Sequence, residues 1–278
     1  MNPKKIFLAW MLVLLIAGNN HALAQSNILD GVYIKEHTPE RKYIPYTYLR
    51  EADVMWCKRV WRVMDMREKM NHIFYYPTEP TPGRKSLMEV IYNGIMVDGT
   101  ITPYEDENFE KVKTRAQIDS MFHTVTKEFV PNPDNPDEQI EKEIVKNLAN
   151  SEIKKFRIKE DWFFDKQRSI MECRIIGLCP VIQVDFAGEM IDKPLFWVYF
   201  TEARQVFSSA EVFNRQNDSE RRTYEDVFWK RQFSSYIYKV NNVYDRKISD
   251  YTTGLDALIE GENIKEEIFN TEHDLWEF

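Results

Sequence analysis

Pro131, Pro133 and Pro136, separated by Asn132, Asp134 and Asn135, interrupt the chain near its middle. No helix or sheet ladder survives such a run, because each proline removes a backbone donor and fixes φ at roughly −65°. The main internal boundary is therefore expected near residue 135, with a Pro-rich linker over residues 131–139. It separates a part at residues 51–130 from a part at residues 140–278. A second break, Tyr75-Tyr76-Pro77-Thr78-Glu79-Pro80-Thr81-Pro82-Gly83, lies inside the first part.

Between these breaks the first part reads as mainly helical. Val54, Cys57, Trp61, Met64 and Glu68 follow steps of three or four, so residues 51–71 are expected as an amphipathic helix. Leu87, Val90 and Ile91 predict a second, and alternation around Gly99 predicts a strand over residues 95–102. Residues 114–129 and 138–149 read as helices, the latter with a Glu/Lys surface.

The second part changes character. Residues 161–168 lead into a strand over 169–184, Gly188 marks a turn, and the aromatic run at 193–200 predicts another strand. Together they predict a three-stranded antiparallel meander, packed by a helix from about residue 221 to 238 and closed by a helical region at 254–276 that breaks at Gly261. The fold class expected is α+β: a small antiparallel sheet packed with several helices, preceded by an extended N-terminal arm. Asp53-Val54-Met55-Trp56-Cys57-Lys58-Arg59 echoes Asp226-Val227-Phe228-Trp229-Lys230-Arg231, which leaves a duplication of the two halves open.

Residues 1–24 read as a secretory signal: Lys4 and Lys5 precede an apolar run from residue 6 to 17, and Ala22-Leu23-Ala24 supplies a cleavage site before Gln25. The apolar run falls short of the roughly 20 residues a membrane span needs. No cysteine follows the site, so lipid attachment there is not expected. An arm at residues 25–50 comes next, carrying Pro39, Pro45 and the tyrosines Tyr33, Tyr43, Tyr46 and Tyr48. It is expected to lie extended on its own domain or on a neighbouring subunit, and its removal is expected to weaken assembly more than folding.

Losing the signal moves the formal charge from −8 to −10, a balance that disfavours nucleic-acid binding. Cys57, Cys173 and Cys179 form neither a CxxC nor a zinc spacing and are expected as small buried residues. Nine glycines, four scattered histidines after the signal, and the absence of HExxH, GxSxG and phosphate-loop patterns leave no catalytic, cofactor or metal candidate. Glu105-Asp106-Glu107 reads as a solvated acidic turn. What stands out is the amount of Trp, Tyr and Arg, the residue types of interface hot spots. The interface candidates are Tyr33, Tyr43, Tyr46 and Tyr48 in the arm with Arg59, Arg62, Arg221, Arg222 and Arg231.

Ile44-Pro45-Tyr46, Leu49-Arg50-Glu51-Ala52-Asp53-Val54-Met55-Trp56, Glu160-Asp161-Trp162-Phe163-Phe164-Asp165, Lys193-Pro194-Leu195-Phe196-Trp197-Val198-Tyr199 and Glu272-His273-Asp274-Leu275-Trp276 resemble the GldN/PorN family of gliding-motility proteins. The resemblance runs over nearly the whole mature chain. It implies a non-enzymatic structural subunit of the type IX secretion and gliding machinery, located in the periplasm and attached to the outer membrane through a partner. The implied partners are the GldK/PorK lipoprotein, with which it self-associates into a ring, and the periplasmic domain of GldM/PorM. A periplasmic carbohydrate-binding module or hydrolase is the alternative, with aromatic residues as a sugar platform.

Overall fold

Twelve residues, Val54–Asp65, form a β-strand (β1) where a helix is expected. The helical spacing of Val54, Cys57, Trp61 and Met64 is real, but Val60, Trp61, Arg62, Val63 and Met64 are all buried, so both faces of this segment are covered. A strand covered on both faces loses its alternation and cannot be told from a helix by period alone. The computed structural model describes residues 40–79, 81, 83–131, 139–186, 188–214, 216–217 and 219–274. The segment expected as a signal peptide, its expected Ala24/Gln25 cleavage site and Tyr33 lie outside these residues.

β1 pairs antiparallel along its whole length with β5 (Ile153–Asp165), from Val54 opposite Asp165 to Asp65 opposite Lys155. β5 turns through Ser169 into the long β6 (Ile170–Phe186), whose far half folds back through Gly188, at φ +86°, onto β7 (Glu189–Pro194). β8 (Trp197–Tyr199) pairs with β6 at Gly177 and Leu178 and carries the two-residue β2 (Pro103–Tyr104) at the edge. On the other side β9 (Tyr236–Val240) closes against β1. The strand order is β2-β8-β6-β5-β1-β9, with β7 on β6.

The class is α+β, and the expected meander is present as the core of this seven-stranded antiparallel sheet. The central pair, β1 and β5, comes from opposite sides of the proline run, so residues 51–130 are not a mainly helical part of their own. β3 (His123–Pro131) and β4 (Gln139–Asn147) flank the expected boundary and pair antiparallel, from His123 opposite Asn147 to Pro131 opposite Gln139. The segments expected as helices at 123–129 and 139–147 are thus the arms of a two-stranded ribbon. The rest of the linker, residues 132–138, lies outside the described residues.

Six helices are described: α1 (His72–Tyr75), α2 (Leu87–Met96), α3 (Arg115–Phe122), α4 (Phe200–Ser209), α5 (Tyr224–Trp229) and α6 (Leu255–Asp274). Ser86 caps α2, and capping boxes open α3 at Thr114/Gln117 and α5 at Thr223/Asp226. Ile95 and Met96 close α2 rather than opening a strand. The helix expected at 221–238 ends at Trp229; Arg231 takes φ +50°, and β9 begins at Tyr236. The two echo segments are a strand and a helix, which ends the duplication idea.

Val60 and Met64 point to one face of β1. Met64 packs under a block of α1, α2, α4 and α5, where Phe228 touches Phe74, Phe200, Phe207 and Phe233 with ring centroids 5.1–5.8 Å apart. Val60 packs with Ile237 under α6 through Ile264 and Ile268. Gly261 does not break α6; a Cβ there would stand 2.8 Å from the Ile237 carbonyl oxygen, so the glycine lets the helix touch β9. On the opposite face Trp61 lies against Lys159, Lys239 and Trp197, with the loop carrying Glu107 and Phe109 laid across it.

Candidate functional site

Two clusters of charged and aromatic side chains stand apart from this packing, and both involve expected interface residues. The first seats the arm. Phe200, Ala203, Arg204, Phe207 and Ser208 recur along α4 at helical spacing and are buried, which carries Arg204 to its inner side. Glu225, on the first turn of α5, accepts from Arg204 Nε at 2.7 Å. Arg204 Nη2 donates to the Ile44 carbonyl at 2.6 Å, and Ser208 donates to the Arg41 carbonyl at 2.9 Å. The guanidinium lies 4.0 Å from the Tyr46 ring centroid and 4.8 Å from Tyr43. Tyr46 in turn stacks on Trp229, at 5.6 Å and 22°.

Arg174 lies 4.9 Å from the Tyr46 ring and donates to the Thr47 carbonyl at 3.0 Å. Arg41 donates to the Arg221 carbonyl and to Asp226. Residues 41–47 of the arm therefore lie on their own domain. Burial pushes the Tyr46 phenol up to about 12, although Arg204 pulls it down. Burial also raises the Glu225 carboxyl, against the pull of Arg204.

The second cluster lies on the face of β1 between Val60 and Met64, at the seam between α6 and the other helices. Glu160 on β5, fully buried, accepts from Arg231 at 2.9 and 3.2 Å and from the Trp162 indole at 2.9 Å, with Arg62 at 3.7 Å. Arg62 also donates to the Ser235 hydroxyl and carbonyl. Burial lowers the Arg62 guanidinium despite Glu160. Burial also pulls Arg231 down, but Glu160 and Cys173 more than offset it and leave it raised. The Cys173 thiol, 3.0 Å from Arg231, is held well above its usual range by burial and by Glu160.

The remaining candidates are scattered. Arg59 forms a two-pronged pair with Asp161 on the other face of the sheet, at 2.6 and 2.7 Å. Arg222 donates to Gln232, and Tyr48 is exposed. Arg204, Glu225, Glu160 and Arg174 were not foreseen; the spacing of α4 is the one sequence signal that marks Arg204. The three thiols are free, with Cys179 buried as expected and Cys57 exposed. Among the described residues no group of His, Cys, Asp or Glu is arranged to hold a metal ion, and no helix is long and apolar enough to cross a membrane.

The family of gliding motility associated protein GldN matches residues 49–277, the arm's end and everything that follows to the penultimate residue. The chain belongs to the GldN family. No curated protein matches it. Both clusters fall within or against the matched span: Glu160, Arg62, Arg231, Arg204 and Glu225 lie inside it, while residues 41–47 lie just before it. Membership associates this GldN-family chain with the gliding-motility machinery, and the family is not one of known enzymes.

Proposed function

We propose that the protein is a non-enzymatic structural subunit of the type IX secretion and gliding machinery, exported to the periplasm. There it builds a ring with the GldK/PorK lipoprotein and contacts the periplasmic part of GldM/PorM. The observation that carries this reading is the family match over residues 49–277. Arg204 with Glu225, and Arg62 and Arg231 with the fully buried Glu160, are engaged in ties between elements of the fold. Export rests on the pattern of residues 1–24.

The carbohydrate reading has less support. A sugar platform needs indoles facing solvent. Of the described tryptophans, Trp61 and Trp197 are buried, Trp56 is partly buried against the cluster of Val60 and Ile237, Trp162 is tied to Glu160, and Trp229, 48 % exposed, is stacked on Tyr46.

Gene deletion with complementation tests the proposal. Loss of the protein should abolish surface spreading or secretion, and the full chain should restore it, while a chain lacking residues 2–24 should not. Restoration by the leaderless chain, or no defect on deletion, would reject it.

A further inference from the structure

A cavity of about 280 Å³ opens beside the Glu160 cluster, where the chain between α5 and β9 passes β1 and α6. Arg62, Arg231 and Lys265 line it, and no carboxylate does. Behind this wall three cations share two carboxylates: Glu160 serves Arg62 and Arg231, and Glu262 serves Lys265 at 2.9 Å. The group is therefore one negative charge short, at a place where the Arg62 side chain is only 8 % exposed. Donors are in surplus too. Arg62 spends Nε and Nη2 on Ser235, and among the described residues its Nη1 makes no hydrogen bond. The Ser235 hydroxyl accepts from Arg62 and donates to no described group. Met70 and Phe233 give the cavity an apolar side.

We propose that this cavity binds a carboxylate carried on a short apolar stem, its oxygens held by Arg62, Lys265 and the Ser235 hydroxyl and its stem against Met70 and Phe233. Hydrogen bonds between a guanidinium and a carboxylate are among the strongest a protein makes, and this one would also neutralise the surplus charge. The size of the surplus selects a monoanion. A phosphate dianion would bring excess negative charge next to the buried Glu160, and a neutral group would leave the surplus in place. The site is complete in a single chain, so it stands apart from the assembly reading.

Titration of the purified chain with propionate, followed by the arginine Nε–H signals in NMR, tests this. The Arg62 signal should move to a saturating limit, and propionamide, or sodium chloride at matched ionic strength, should move it far less. Lys265→Glu should weaken propionate about tenfold, while Lys111→Glu, at an exposed lysine that does not line the cavity, makes the same change in net charge and should leave binding as it was. A drift that never saturates, an equal response to propionamide, tighter binding of inorganic phosphate, or equal losses from the two variants would overturn the proposal. A free acid and the Asp or Glu side chain of another protein offer the same group. In washed native membranes, acetylation of Lys265 that is slower than in the purified chain, with Lys111 unchanged, assigns the carboxylate to a neighbouring protein. Equal acetylation that propionate slows assigns it to a free acid, and equal acetylation that propionate leaves unchanged counts against the site.

Discussion

Arg204 on α4 bonds Glu225 on α5 with Nε 2.7 Å from Oε1, and its guanidinium also lies 4.0 Å from the ring of Tyr46 in the arm. One buried cation thus joins two helices and the segment laid over them. Arg204→Ala should lower unfolding free energy by about 3–5 kcal/mol in denaturant titration, because Glu225 is left as an unpaired buried charge. Limited proteolysis should cut within residues 41–48 faster than in the wild type. An unchanged cutting rate would show that the arm is held elsewhere.

Deleting residues 26–48 should now destabilise the monomer as well as any assembly. The arm contributes Tyr46 and three backbone acceptors, the carbonyls of Arg41, Ile44 and Thr47, to Ser208, Arg204 and Arg174. Circular dichroism melts of the shortened chain should show a lower Tm; an unchanged Tm would restore the view of the arm as a device for neighbours only.

Glu160→Gln should cost about 3–5 kcal/mol, since the buried Arg62 and the half-buried Arg231 would lose their counter-charge. Glu160→Gln with Arg231→Met should recover part of that loss, and a double-mutant cycle measures the coupling.

Gly261→Ala should destabilise the chain by about 1–3 kcal/mol, although alanine is the better helix former, because its Cβ meets the Ile237 carbonyl at 2.8 Å. Hydrogen exchange should rise in α6 and β9 before the rest of the sheet.

Stability should fall between pH 10 and about pH 12, and Tyr46 supplies part of the fall. Burial raises the folded phenol to about 12 from 10.0, so the unfolded chain loses its proton first. The contribution is complete below pH 10 and is lost as pH rises through 12. Tyr46→Phe should reduce the slope of stability against pH by up to about one proton in that window. Burial also raises Tyr224 and Tyr238, so the difference between variant and wild type is the quantity to read.

The legible parts of the fold were those with one covered face or a distinct turn. The meander could be read because Gly188 and the aromatic strands punctuate it, and α6 because Ile264 and Ile268 keep helical spacing. β1 could not, because Trp61 packs on one face while Val60 and Met64 pack on the other, which erases alternation. β3 and β4 were hidden by the proline run between them, which reads as a boundary, yet Pro131 and Gln139 on its two sides pair. Of the site, the tyrosines and arginines were visible as types. Their acidic partners, Glu160 and Glu225, were not, since one strand position and one helix turn look like any other surface carboxylate until the fold buries them.

The central claim, a structural subunit in a secretion and gliding assembly, is tested most directly by sizing the tagged mature protein extracted from native membranes with mild detergent. It should elute in one large complex that contains an outer-membrane lipoprotein. Elution as a lone monomer of about its own mass, with no lipoprotein, would contradict the account.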